Sequence, residues 1–444
     1  MLETMRHPFL AVFLPVALAG CAATPPPGLP PLDGGFAAGL AAEIRANETG
    51  LAGDDAQALA PFGAAVGDAT MVGLGETSHG VAEMIATKSR LFKYLVATKG
   101  FTVFTLEAPW THGWPIERYL QAGEGDPREL VKANGFYTWN NQPMLDLVLW
   151  MRQYNQDAGH ARKLHFVSID CQSPDEVAGD VQAYVDAHLP DQAGSVRTRY
   201  AFLRSRTYFD YGQLDIPAQA ACRRDLAKVA GLLQQTLEAA GAKADAELLR
   251  ARQAAEVVLQ GEKVWASASL TNYGGTRDPA MAANVEWVSK VAFPGERLAL
   301  CAANAHVATD PLSWLGSMGS YLRAAHGQGY YTLGFSFHHG AIYGPAPDVP
   351  FAEHQRNVLP VPSALPGSLD ALFHEAGQPF AFLDLRRLDP ATALGSFLAG
   401  PIYARVGGAG YVTWLEEGNY QRFSPRNAFD ALIFIDEVTP AITL

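Results

Sequence analysis

Two glutamates, an aspartate, an asparagine and two histidines stand where apolar runs of this chain stop. Residues 69–75, ATMVGLG, lead into Glu76-Thr77-Ser78-His79-Gly80. Residues 101–107, FTVFTLE, end on Glu107, and residues 163–170, KLHFVSID, end on Asp170. A fourth run, RLALCAANA over 297–305, delivers Asn304 and is followed by His306. Carboxylates beside an imidazole suit general acid–base chemistry. A neutral ring can take a proton from water when a carboxylate orients its other nitrogen. His79 heads a helical stretch, whose positive dipole end favours the neutral ring, and Glu76 or Glu107 is the group to orient it. Glu76 and Glu107 sit at matching strand ends, so neighbouring strands would bring them close enough to raise each other's pKa.

Other chemistries fit less well. GLGETSHG has Ser78 where a dinucleotide loop needs its third glycine, and Glu76 would repel the pyrophosphate. A nucleophile elbow needs glycine where Glu76 stands, which counts against Ser78 as nucleophile. Glu76, His79, Glu107 and His306 are ligand types that suit zinc or manganese, so a divalent-metal hydrolase is an alternative, although no HxH or HxxxH pair supports it.

The elements that must position these groups follow from periodicity. Residues 81–100 read as a helix with Met84, Ile85, Leu91, Phe92, Leu95 and Val96 inward and Gly100 closing it. With the runs at 69–75 and 101–107 this makes a βαβ unit with parallel strands. Further strands are expected at 163–170, 297–305, 330–337, 380–385 and 431–436, and a helix at 142–155. Continuous apolar runs mark strands covered on both faces. The fold class is α/β, a largely parallel central sheet flanked by helices, and ligands of such sheets bind beyond the carboxyl ends of the strands. Residues 175–290, rich in Ala, Arg, Gln and Leu, read as a long helical insertion that covers or shapes a cleft. Trp110, Trp114, Phe136, Tyr137, Trp139, Tyr208, Phe209, Tyr211 and Tyr273 are candidates for apolar walls of a pocket.

Apolar residues make up 48% of the chain and charged residues 18%, as in a globular protein with a sizeable core. The net charge of −12 argues against nucleic acid as a partner. Residues 1–20 read as a signal peptide whose apolar stretch, FLAVFLPVALAG, is too short to span a bilayer. Its end, Leu18-Ala19-Gly20-Cys21, resembles the lipobox of bacterial lipoproteins. The resemblance implies lipidation of Cys21, a Pro/Gly-rich tether over 21–35, a membrane anchor, and an exported protein at the outer membrane facing the periplasm. Residues 36–444 would form the catalytic domain. Cys171, Cys222 and Cys301 remain, an odd number that excludes a fully paired set.

Longer stretches carry a second resemblance. GLGETSHGVAEMIATKSRLFKYLVATKGFTVFTLEA is similar to the opening of the erythromycin esterase family, with its GE-x-[ST]-HG turn, a basic residue on the helix, and a strand ending in Glu-Ala. TWNNQPMLDLVLWMRQYN, FVSIDCQ, TRDPAMAANVEW, CAANAHVAT and SMGSYL resemble further family segments in order. The resemblance implies a hydrolase that opens an ester or lactone, in the family a macrolide lactone, with histidine-activated water, no acyl-enzyme and no cofactor. It assigns His79 as general base, with Glu76 and Glu107 orienting the ring and the water. Lys88, Asp170, Arg277, Asn304 and His306 fall on substrate-binding positions. Ala303 departs from the pattern, standing where the family has the first histidine of H-N-x-H, a donor worth on the order of 2.7–4 kcal/mol if it faces an oxyanion. His338 or His112 could fill that space. A binding lipoprotein that keeps the pocket without the chemistry is the non-enzymatic alternative.

Overall fold

The computed structural model describes residues 29–30, 32–51, 57–134, 136–267, 270–310, 312, 316–345, 356–408, 410–413 and 415–444. The signal peptide and Cys21 lie outside the described residues. Among the described residues no helix is long and apolar enough to cross a membrane.

Eleven strands are described: β1 (Thr49–Gly50), β2 (Met71–Leu74), β3 (Phe101–Pro109), β4 (His165–Asp170), β5 (Arg297–Cys301), β6 (Tyr330–Pro345), β7 (Arg356–Val361), β8 (Phe380–Asp384), β9 (Ile402–Arg405), β10 (Tyr420–Phe423) and β11 (Ala431–Val438). Nine form one sheet in the order β1-β8-β11-β6-β2-β5-β3-β4, with β7 paired to β6; β9 and β10 form a separate hairpin. The run from β11 to β4 is parallel throughout, and β8 and β7 are antiparallel. The expected α/β architecture with a mostly parallel sheet is what the chain adopts.

Alternation along the strands explains the continuous apolar runs. Val72, Leu74, Phe104, Leu106, Ala299 and Cys301 pack into one core, and Met71, Val103, Leu298 and Leu300 into another. Successive side chains of a strand point to opposite faces, and here each face is covered. The Ala82–Lys99 helix buries Met84, Ile85, Leu91, Phe92, Leu95 and Val96, and Gly100 ends it in the left-handed conformation. Each such buried side chain contributes roughly 1.5–3 kcal/mol. Between β4 and β5 the described chain is helical over Pro174–Ala266, apart from short turns, and again over Leu270–Trp287, with a core of its own around Val181, Tyr200, Leu226, Val258 and Trp265.

One expectation about the sheet is corrected. β2 and β3 are parallel but not neighbours, because β5 lies between them. With strands about 4.8 Å apart, their backbones are separated by roughly 10 Å. β5 arrives from almost two hundred residues further along the chain, so local pattern could not reveal it.

Candidate active site

The register brings the strand ends together. Leu74 of β2 and Leu106 of β3 both lie opposite Cys301 of β5, and Leu106 lies opposite Ser168 of β4. Glu76, Ala303, Glu107 and Asp170 therefore leave the sheet at nearly one level. The turn after β5 fastens both glutamates: the Asn304 amide donates to the Glu76 carbonyl (2.7 Å), and the Ala303 amide donates to Glu107 Oε2 (2.8 Å).

The Glu76–Gly80 turn is pinned from outside the sheet. Thr77 Oγ1 donates to the Arg405 carbonyl (2.5 Å), and the His79 amide donates to the Gly408 carbonyl (2.9 Å). Gly80 has φ +71°, and an added Cβ would fall 1.8 Å from the Tyr343 carbonyl oxygen, so only glycine fits there. These contacts fix where His79 stands before any side-chain interaction is counted.

His79 and Glu76 form the first half of the site. Glu76 Oε1 is 2.5 Å from His79 Nδ1, and Glu76 Oε2 accepts from Lys88 Nζ at 2.5 Å. Burial would raise the Glu76 pKa, but Lys88 and His79 outweigh it and hold the carboxyl below its usual 4.5. The acceptor on Nδ1 places the ring proton there and leaves Nε2 as the basic nitrogen. Nε2 has no hydrogen-bond partner among the described residues, and the side chain keeps 11% of its surface exposed. Lys88 is fully buried, 5.0 Å from the centroid of the Trp139 ring. Trp139 in turn donates Nε1–H to the Glu107 carbonyl (2.7 Å) and stands edge-on to His79.

Glu107 anchors the second half. Its Oε1 accepts from Arg277 Nη2 at 2.8 Å and lies 3.2 Å from His306 Nε2. Arg277 also holds Asp170 in a fork, Nη2 to Oδ2 at 2.7 Å and Nε to Oδ1 at 3.1 Å. His306 Nδ1 donates to Asp278 Oδ1 (2.8 Å), which also accepts from the Met318 amide. Burial would lower the His306 pKa, but Asp278 and Glu107 push it up to about 10, against the pull of nearby Arg277. These acids favour the charged ring, while Arg277 Nη1, 2.8 Å from His306 Nε2, opposes it. Glu107 lies well below the usual carboxylate range, because His306 and Arg277 overcome its burial. The sequence expectation that the two glutamates raise each other's pKa is thus reversed, since each has its own cations.

The eight residues expected from sequence do converge, but not all on the open side. His79 and His306 keep 11% and 12% side-chain exposure, whereas Lys88, Asp170 and Arg277 keep 2% or less. Asn304 spends its amide on β6, donating to the Phe335 carbonyl and accepting from the Phe335 amide. Lys88, Asp170, Arg277 and Asn304 are thus more enclosed than the two histidines. Two candidates for the space beside Ala303 are also elsewhere: His112 Nε2 is bonded to Glu176 (2.7 Å), and His338 is stacked on His374. Trp139, Trp110 and Tyr211 are buried in the cores rather than lining a pocket. Tyr273 lies outside the described side chains. Asp278 and Gln172, which donates to Asp170, belong to the network and were not read from the sequence. Asp278 adjoins Arg277 in the chain, and that adjacency was the available signal.

A hydroxyl or thiol nucleophile has no support. Ser78 is buried and its Oγ donates to the His79 carbonyl, not to the imidazole. Cys171, Cys222 and Cys301 are free and buried. Burial pushes the Cys301 thiol up to about 12. The donor set also suits a divalent metal poorly. Among the described residues no group of three His, Cys, Asp or Glu side chains is arranged to hold an ion. The glutamate oxygens already face Lys88, Arg277 and His306, which a metal would have to displace.

A sequence profile described as erythromycin esterase matches residues 96–438, more than three quarters of the chain. The chain belongs to the erythromycin esterase family. The matched span includes Glu107, Asp170, Arg277, Asn304 and His306 but begins after the His79 turn. Erythromycin esterase type II of Escherichia coli is 24% identical over 312 residues, 64% of this chain and 73% of that protein. The putative hydrolase YbfO of Bacillus subtilis (strain 168) is 22% identical over 410 residues, 84% of this chain and 85% of that one. Among solved structures, a Bacillus cereus protein superposes with a TM-score of 0.80 at 23% identity, over 91% of this chain and 98% of that one. A mutant of the erythromycin esterase EreC in its open conformation gives 0.68 at 18% identity, over 89% and 97%. These likenesses show the erythromycin esterase-like fold. The family is one of hydrolases.

Proposed function

We propose that this erythromycin esterase family member hydrolyses an ester or lactone with water activated directly by His79. The observation that carries the reading is the His79 ring, held through Nδ1 by Glu76, with Nε2 unpartnered and no side-chain nucleophile beside it. Nε2 takes a proton from water as the water attacks the acyl carbon. The developing oxyanion is stabilised by His306, the other partly exposed ring of the site, whose acidic partners favour its charged form. His79 then returns the proton to the leaving alkoxide, so no acyl-enzyme forms. Lys88 and Arg277 act through the glutamates, and Glu107 holds His306 in place. The mechanism uses no cofactor.

Ala303 leaves a small side chain where the family pattern has an imidazole, which favours a substrate other than a macrolide. Residues 1–32 support export and a lipid anchor on sequence grounds, placing the activity at the outer membrane facing the periplasm. A panel of esters and lactones assayed with and without chelator tests the reaction. Turnover unaffected by chelator and abolished in His79→Ala supports it. Activity that disappears with chelator and returns with zinc or manganese replaces it with a metal-dependent hydrolase.

A further inference from the structure

One partly buried cation near the site, Arg356, has no carboxylate partner among the described residues. Arg356 opens β7 and lies opposite Pro345 of β6, two residues beyond Tyr343. The Tyr343 backbone packs directly on Gly80, the neighbour of His79, with its amide donating to the Gly80 carbonyl (3.0 Å). The Arg356 guanidinium lies 4.7 Å from the centroid of the Tyr137 ring, and Tyr137 stands edge-on to Tyr343 with ring centroids 6.4 Å apart. Burial raises the Tyr137 phenol, and both Arg356 and Glu76 act on it, Arg356 lowering and Glu76 raising its pKa. Tyr137 and Tyr343 therefore connect Arg356 to the Gly80 backbone, next to His79.

Several arginines of the sheet region are paired with acids. Arg277 has Asp170 and Glu107, Arg405 has Glu416, and Arg323 has Asp430. Among the described residues Arg356 forms no ion pair, and its Nε is buried without an acceptor. Burial lowers its pKa, and the groups that act on its charge are the phenols of Tyr137 and Tyr343. A guanidinium seated over a ring, with Nε unspent, suits a planar or tetrahedral oxyanion.

We propose that Arg356, seated on Tyr137 and Tyr343, anchors an anionic group of the substrate, a carboxylate or a phosphate, beside the ester that His79 hydrolyses. The inference rests on the hydrolase reading for the ester but not for the anion. The test uses the full chain and its Arg356→Gln and Arg356→Lys variants. Calorimetry measures binding of three stable amides: 4-nitroacetanilide, 4-nitroglutaranilic acid and its phosphonate counterpart. Turnover of 4-nitrophenyl acetate and 4-nitrophenyl hydrogen glutarate is followed in parallel. An anionic amide should bind roughly tenfold or more tightly than the neutral one. Arg356→Gln should erase that preference without changing affinity for 4-nitroacetanilide, and Arg356→Lys should restore part of it. Which anion benefits more distinguishes carboxylate from phosphate. Equal binding of all three, no binding of either anion, or a preference that survives Arg356→Gln overturns the proposal. Arg356-dependent binding without turnover of either ester would leave the anchor standing and remove the hydrolase reading.

Discussion

Glu76 and Glu107 are the same residue type, at the same level of the sheet, held in two different ways. Glu76 has one lysine on one oxygen and one imidazole on the other. Its charge is balanced by Lys88, so His79 need carry none. Glu107 belongs to a set in which three carboxylates, with Asp170 and Asp278, face the two cations Arg277 and His306. Both Glu107 oxygens are committed, one of them to the Ala303 amide. A carboxylate balanced by one fixed cation can orient a base that gains and loses a proton. A carboxylate inside a saturated ion network holds a permanent positive charge in place. The two halves thus hold their imidazoles against carboxylates that are balanced in different ways.

Removing the base should produce the largest effect. His79→Ala is expected to lower kcat/KM by on the order of 10²–10⁴ while leaving the thermal melt close to that of the wild type. Near-normal turnover would erase the distinction between the halves. Arg277→Met strikes the saturated half, leaving Glu107 and Asp170 without their shared cation. It should cost about 3–5 kcal/mol of stability, read as a lower denaturant midpoint, whereas His79→Ala should barely move that midpoint.

Lys88→Met sharpens the comparison through pH. The Glu76 carboxyl is held below its usual value, so its support for His79 is present above the usual 4.5 and lost as pH falls through the lowered folded value. Without Lys88 that value rises, and the acid limb of the pH–rate profile should move upward by roughly 1–3 units. An unmoved limb would show that Lys88 does not tune Glu76. The smallest change is expected for Asp278→Asn. His306 is raised from 6.5 to about 10, so its contribution is complete below 6.5 and disappears as pH rises through about 10. Losing Asp278 should bring the imidazole titration down by on the order of one unit, measurable by nitrogen-15 NMR of the ring.

Much of the first half was legible because it is local. Glu76, His79 and Lys88 lie within thirteen residues, on a strand end, a turn and the next helix, and the spacing of Met84, Leu91 and Leu95 already marks that helix. The strands at 101–107 and 163–170 were legible because burial on both faces leaves uninterrupted apolar runs. The second half was legible as types but not as partners. Nothing near Glu107 in the chain says that Arg277 will meet it, and Asp278 reads as the acidic neighbour of an arginine until His306 is placed against it. Short edge elements such as β7, and with it Arg356, carry too few residues for a period to show.

The sequence by itself determined the α/β class and the strand ends that carry acids and imidazoles, because periodicity acts over a few neighbouring residues. Tertiary structure alone decided that β5 separates β2 from β3, that each glutamate has its own cations, and that His79 and His306 sit against different carboxylates. Those outcomes depend on Coulomb interactions and desolvation between segments more than a hundred residues apart, and such energies exist only once the sheet has closed around them.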